Sequence, residues 1–318
     1  MANREISVRG IGLRRYVSAQ LDHDGGHRNA SGLIDVTVPN AARISDFLQG
    51  GHANFATDRK AAAALVESAP SIAAIPASAR AFRRRVVRYL AAEAGIRQFL
   101  DVGHGLLPPG NTHEVAQEVD PASRIVYIEG DPMMFERARA TITSAPGGRV
   151  EVVEGDVADV NGIVSEVGLS EAGLPAADPS GATAGTAMPA GEDGSGDGTM
   201  LDPGQPLAVL LLSTLAHVPS SAEAAKVVSA LMDSAPSGSY LAMYHFASDL
   251  DPAVDDALKV WNAAAIDPIV LRSSAEVGAL VTGLDLVTPG LVPVNDWRPD
   301  AGDPSARVPI HALVARKP

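Results

Sequence analysis

The spacing of apolar positions changes character once along the chain. From Pro39 onward they recur at helical intervals. One helix is predicted from Ala41 to Gln49, stopped by Gly50-Gly51, and a second from Thr57, read as its N-cap, to Ser68. A third runs from Pro76 to Ala94, with a proline in its first turn and a glycine, Gly95, just past its end. From Ile96 short apolar runs take over: Arg97–Val102, Arg124–Glu129 and Arg149–Glu154 read as strands. Helices are predicted between them over Asn111–Val119 and Pro132–Thr143. Leu207–Ser213 is apolar enough for a central strand buried on both faces. Ser220-Ser-Ala-Glu223 is a capping box that opens a helix to Ser234, and Ser273-Ser-Ala-Glu276 opens another that ends near Gly283. Between these lie a strand, Ser239–Phe246, and a helix, Pro252–Ala264.

Strands that alternate with helices predict parallel βαβ units, hence an α/β, doubly wound sheet. The last two strands, Leu284–Thr288 and Pro309–Ala315, are joined by Pro289–Val308, which has no helical period. Without a crossover helix they should pair antiparallel, giving seven strands with a terminal hairpin.

Composition refines this picture. Of 318 residues, 46% are hydrophobic but only 4% aromatic, so Ala, Val and Leu must do most of the packing. The net charge of −13 and pI near 5.0 argue against a nucleic-acid-binding surface. Arg83, Arg84, Arg85 and Arg88 form a local basic patch, read as a solvated helix face. Residues 165–206 carry seven acids and no Lys or Arg, so −7 of the −13 resides there; this Gly-, Ala- and Pro-dense stretch is expected to be a flexible insertion. Residues 1–33 have no sustained period and are expected to form a loose extension, followed by a helical cap over 34–95 and a core over 96–318. The chain has no cysteine, which excludes disulfides and thiolate metal sites. Met1–Gln20 shows no signal-like apolar segment, and Leu207–Leu212 is too short to span a bilayer. The expectation is a cytoplasmic protein without membrane or nucleic-acid partners.

The most informative segment is Phe99-Leu-Asp-Val-Gly-His-Gly105, where a buried strand runs straight into two glycines. Gly103 and Gly105 allow a sharp turn and leave room for a ligand against bare backbone. Asp101 can accept hydrogen bonds from a ligand amine or from loop N–H groups. The usual third glycine is missing, and Leu106–Gly110 delays the following helix, which weighs against a dinucleotide pyrophosphate. Glu129 ends the second strand 26 residues after Gly103, where a carboxylate can take both ribose hydroxyls of an adenosine; Asp131 is its rival. Asp156 ends the third strand, placed either to accept from an adenine amino group or to cap the helix that begins near Asp159. Three acids at the carboxyl ends of three consecutive strands line the edge where open α/β sheets bind ligands. No tyrosine is followed by lysine four residues on, and the Gly-x-Ser-x-Gly and P-loop patterns are absent, so adenosine binding is expected without hydride or phosphoryl chemistry.

Pro39–Arg59 (Pro-Asn-Ala-Ala-Arg-Ile-Ser-Asp-Phe-Leu-Gln-Gly-Gly-His-Ala-Asn-Phe-Ala-Thr-Asp-Arg) resembles the opening signature of an actinobacterial family of S-adenosylmethionine-dependent methyltransferases, long classed as a domain of unknown function. The resemblance continues, collinearly, through Arg80-Ala-Phe-Arg-Arg, Arg97-Gln-Phe-Leu-Asp-Val-Gly, Asn111-Thr-His-Glu-Val-Ala-Gln and Val126-Tyr-Ile-Glu-Gly-Asp-Pro. Pro236-Ser-Gly-Ser-Tyr-Leu, Pro289-Gly-Leu-Val-Pro, Trp297-Arg-Pro and Ala315-Arg-Lys-Pro carry it to the C-terminus. It implies a Rossmann-like class I methyltransferase core behind helices that cover the cofactor cleft, with S-adenosyl-L-methionine as cofactor. The family's glycine loop usually has serine where this chain has His104, and its ribose acid is more often aspartate than Glu129.

Methyl transfer is an in-line displacement in which the protein supplies mainly proximity and orientation. His217, after the fourth strand, and His245, at the end of the fifth, are the candidates for a base, each alternatively a structural or substrate-contacting residue. Arg43 and Asn54 either hold the methionyl carboxylate or serve as capping and ion-pair residues within the helical cap. Trp297 and Phe55 line a substrate pocket or pack in the core, and the histidines show no metal-ligand spacing. The leading expectation is a methyltransferase acting on a small molecule. The alternatives are a binding protein of the same fold that performs no transfer, and a dinucleotide oxidoreductase. Neither the acceptor nor an oligomeric state is specified by these residues.

Overall fold

The computed structural model describes residues 36–103, 110–169, 200–263 and 268–318. The extension over residues 1–33 and most of the acidic insertion therefore lie outside the described residues. The helical cap consists of α1 (Ala41–Leu48), α2 (Ala56–Ser68), a 3-10 turn (Pro70–Ala74) and α3 (Ile75–Ala92). The core then alternates: β1 (Gln98–Val102), α4 (Thr112–Val119), β2 (Arg124–Glu129), α5 (Pro132–Thr141), β3 (Arg149–Glu154), α6 (Val160–Glu166) and β4 (Ala208–Leu212). It continues through α7 (Ser221–Ser234), β5 (Tyr240–Phe246), α8 (Pro252–Asn262), α9 (Ser274–Ala279), β6 (Asp285–Leu286), β7 (Val292–Pro293) and β8 (Ile310–Arg316).

The sheet order is β3-β2-β1-β4-β5-β8-β6, with β7 paired to β8. The first five strands in that order are parallel, while β8 inserts antiparallel between β5 and β6. The closing hairpin carries one two-residue strand, β7, beyond the seven strands expected; Pro293 keeps that strand short because it has no N–H to donate. β1 and β4 are buried at every position, as their unbroken apolar runs require. Both capping boxes form: Ser220 accepts from Glu223 N–H at 3.1 Å and Ser273 from Glu276 N–H at 3.4 Å.

Thr57 does not cap α2. Phe55 occupies the N-cap, Asp58 accepts its N–H at 2.8 Å, and the Thr57 hydroxyl donates to the Val36 carbonyl instead. The insertion is also narrower than its composition implied. Val167, Leu169 and Leu201 belong to the core beneath β4 and α7, and Leu201 N–H bonds to Val167 O at 3.3 Å.

One apolar layer packs α6, α7 and α9 against one sheet face; the other packs α3 and α4 against the opposite face. Trp297 belongs to this second layer, fully buried and edge-on to Phe82 and Tyr89, so it is a core residue. A third cluster joins α1 and α2 to α8 through Ile44, Ala62, Ile72, Val254, Leu258 and Trp261. Among the described residues no helix is long and apolar enough to cross a membrane.

Candidate functional site

The parallel order of β3, β2, β1 and β4 brings four carboxyl ends to one rim. Asp101 stands opposite Tyr127 on β2 and Leu210 on β4, fully buried. Its Oδ2 accepts from the Thr112 hydroxyl at 2.6 Å, whereas Oδ1 has no hydrogen-bond partner among the described residues. Burial pushes the Asp101 carboxyl up; the nearby Arg83 charge and the Thr112 hydroxyl pull against that rise.

Gly103 follows with φ +72°, its N–H bonded to Ile128 O at 2.8 Å. A Cβ there would stand 2.9 Å from both Oγ1 and Cγ2 of Thr214. Thr214 cannot easily yield, because it is buried and its hydroxyl donates to the Val102 carbonyl. Ser213, left-handed at φ 75°, makes the turn that folds Thr214 back over β1. Gly103→Ala is therefore expected to cost about 2–4 kcal/mol, from the left-handed backbone and the clash together, readable as a lower urea midpoint. Gly105 and His104 lie outside the described residues.

Glu129 ends β2 and is 5% exposed; its Oε1 accepts the Asp131 N–H at 2.8 Å. Its rival Asp131 is committed elsewhere: it accepts from Met134 N–H at 3.1 Å, at the start of α5, and from Asn40 Nδ2 at 3.4 Å. Asp156 is exposed on the turn after β3, where it accepts from Ala158 N–H at 2.9 Å; the cap of α6 is Asp159. Asp101, Gly103, Glu129 and Asp156 thus share the rim. His217 joins them, half-buried at the end of the 3-10 turn after β4.

Three expected site residues are placed differently. His245 is fully buried, with Nδ1–H donated to Phe246 O at 2.8 Å and Nε2 accepting from Arg272 at 2.6 Å. With both ring nitrogens held it cannot collect a proton from an acceptor. Arg43 is buried inside the cap, bonded through Nε to Asp58 at 2.9 Å and through Nη2 to Val38 O at 2.6 Å, with Phe55 stacked at 5.4 Å. Asn54 bonds Asp46 at 2.8 Å and Gly51 O at 3.0 Å, closing the turn after α1. Both serve the cap's own structure, because its glycine turn and helix starts need those partners.

The arginine run of α3 is solvated only in part: Arg84 and Arg88 are exposed, whereas Arg83 and Arg85 are buried. Arg85 is 2% exposed and bonded to Asp303 and to the Trp297 and Val294 carbonyls at 2.9 and 2.8 Å. Arg84 and Arg88 pair with Asp303 and Asp300. Arg83, only 8% exposed, turns towards the rim, where its charge is felt by Asp101, Tyr127 and Tyr244. A helical signal for it existed: Arg83 lies on one stripe with the fully buried Val86, Val87 and Leu90.

At the opposite edge of the sheet lies an open hollow of about 550 Å³, bordered by Gln98, Arg124 and Arg316. No buried unpartnered side-chain atom occurs among its lining residues, in contrast to the carboxyl rim. Among the described residues no group of three or more His, Asp or Glu is arranged to hold a metal.

Five parallel strands with an antiparallel strand inserted at one side form the Rossmann-like sheet of the class I methyltransferase fold. The chain belongs to the S-adenosyl methyltransferase family, whose model matches residues 27–172 and 195–318. It is similar to a DUF574 family protein of Streptomyces avermitilis, 32% identical with a TM-score of 0.75 over 89% of this chain and 99% of that one. A protein of Thermobifida fusca is 31% identical, with a TM-score of 0.72 over 89% of this chain and 96% of that one. No curated protein matches the chain. Membership makes it an S-adenosylmethionine-dependent methyltransferase.

Proposed function

We propose that this methyltransferase acts on a small molecule and seats S-adenosyl-L-methionine along the carboxyl rim of β1–β3. The observation that carries the reading is the buried Asp101 carboxylate, with one orphaned oxygen beside a glycine where any side chain is strained and crowded. A buried acceptor without a donor costs stability unless a ligand supplies one. In this reading Asp101 accepts from the cofactor's amine, Gly103 gives it room, Glu129 takes the ribose hydroxyls and Asp156 the adenine amino group. When bound, S-adenosylmethionine supplies a methyl group on a sulfonium, open to in-line displacement by an acceptor atom. His217 is the remaining candidate to take a proton from that acceptor. A small-molecule acceptor is supported by the neutralisation of Arg84, Arg85 and Arg88 on Asp300 and Asp303, which leaves that run no basic face for a nucleic acid.

Titration calorimetry should detect S-adenosylmethionine binding by the wild type. Asp101→Ala and Glu129→Ala should each weaken it by roughly 10- to 100-fold, the worth of a hydrogen bond to a charged group. Binding that neither substitution alters would place the cofactor elsewhere. A second reading, a protein that holds the cofactor without transferring, draws support from the engagement of both His245 nitrogens. Label passing from methyl-labelled cofactor into a metabolite extract would remove it.

A further inference from the structure

Arg83 differs from its neighbours on α3 in having nothing to hold. It is 8% exposed, its Nε is buried without an acceptor, and it makes no hydrogen bond or ion pair among the described residues. A buried N–H without an acceptor is unfavourable, and the other two nitrogens of the fork have no partner among the described residues, so the side chain is open to a partner that is not part of the chain. Asp101, close enough to feel the Arg83 charge, does not fill that role, since no ion pair joins them and Oδ1 of Asp101 is itself unpartnered. Two buried, oppositely charged groups thus stand near the same rim, each with unused hydrogen-bonding capacity. The species that satisfies both at once is a zwitterion, an ammonium and a carboxylate on one carbon.

We propose that Arg83 is the receptor for the α-carboxylate of the cofactor's amino-acid end, with Asp101 taking the α-ammonium, so that the helical cap contributes directly to binding. The guanidinium fork suits a carboxylate through two parallel N–H bonds. This rests on the reading of the rim as the S-adenosylmethionine seat, and it reassigns to Arg83 the task expected of Arg43 and Asn54.

The test compares two ligands that differ only in the carboxylate: S-adenosylmethionine and its decarboxylated form. Wild type should bind the first on the order of 100-fold more tightly, as loss of one partner of a buried charge pair implies. Arg83→Met should bring the affinity for S-adenosylmethionine down to that for the decarboxylated compound while leaving the latter unchanged. The ligand-free Arg83→Met protein should melt no lower than wild type, because the side chain makes no hydrogen bond or ion pair among the described residues that the substitution would remove. Equal weakening of both ligands with a lower melting temperature would make Arg83 a scaffold residue and overturn the proposal. So would a wild type that binds both ligands equally, although that result would leave the rim assignment standing. Failure of the wild type to bind either compound would overturn the rim assignment and this proposal together.

Discussion

An Arg272→Met variant is expected to lose about 3–5 kcal/mol of folding stability, and with it the shape of the cofactor rim. Arg272 is fully buried and its hydrogen bonds all go to neutral acceptors, although the Glu276 carboxylate lies near enough for each charge to be felt by the other. Nη1 donates to Leu215 O and Nη2 to Val218 O, both at 2.8 Å, Nε donates to Ser221 Oγ at 3.1 Å, and Nη1 also meets His245 Nε2 at 2.6 Å. Methionine can fill the stem's volume but donates to none of them. The Val218 carbonyl and the His245 Nε2 would be left buried and unpaired, each at about 1–3 kcal/mol, and the Leu215 carbonyl would keep only the Val218 N–H. Those carbonyls belong to the segment that leaves β4, which also carries Thr214 against Gly103 and His217 onto the rim. Cofactor affinity should therefore fall together with the urea midpoint. Arg84→Met provides the comparison, since its half-exposed pair with Asp303 should contribute less than about 1 kcal/mol. Equal midpoints for the two variants would show that Arg272 supports nothing.

The fold was legible where local chemistry decides structure. β2 and β3 span the same residues as their apolar runs, and both Ser-x-x-Glu boxes open helices, because those signals need only neighbours three or fewer residues away. The rim was legible for the same reason: Asp101, Gly103 and Glu129 stand at strand ends, and strand ends in a parallel sheet converge. Roles that depend on distant partners were not. Arg43 and Asn54 looked available until Asp58 and Asp46 took them up, and His245 is engaged by an arginine 27 residues further on. Along the arginine run, four neighbouring cations suggested a wet surface. The aspartates that neutralise three of them lie more than 200 residues away, beyond the reach of any local pattern.

The same knot predicts how stability responds to acid. Burial pushes the His245 pKa down to about 4; the Phe246 carbonyl opposes this, and the Arg272 charge adds to it. A histidine with a folded pKa below its unfolded value near 6.5 binds more protons when unfolded. Its contribution is therefore complete above about pH 6.5 and is lost as pH falls towards 4, up to roughly 3 kcal/mol over that window. Protonation would place a proton on Nε2 directly against the guanidinium, leaving Arg272 Nη1 only the Leu215 carbonyl. Nearby charges do not reverse the sign. Asp249, bonded to His311 at 2.6 Å, is raised by burial but held at about 2 by the Ser274 N–H and His311, so it stays ionised throughout. Glu276 is lowered by the Ser273 hydrogen bonds, which favours its charged form. The His217 charge lowers the His245 pKa further, an effect of the same sign. His113, pushed down by burial beside Tyr127, adds a slope of the same sign from elsewhere in the core. His245→Gln should accordingly be less stable than wild type at pH 7.5, with the gap closing as pH approaches 4.5. Urea denaturation at intervals across that range measures both slopes. Parallel curves for the two proteins would mean that the His245–Arg272 contact is not what makes the fold acid-sensitive.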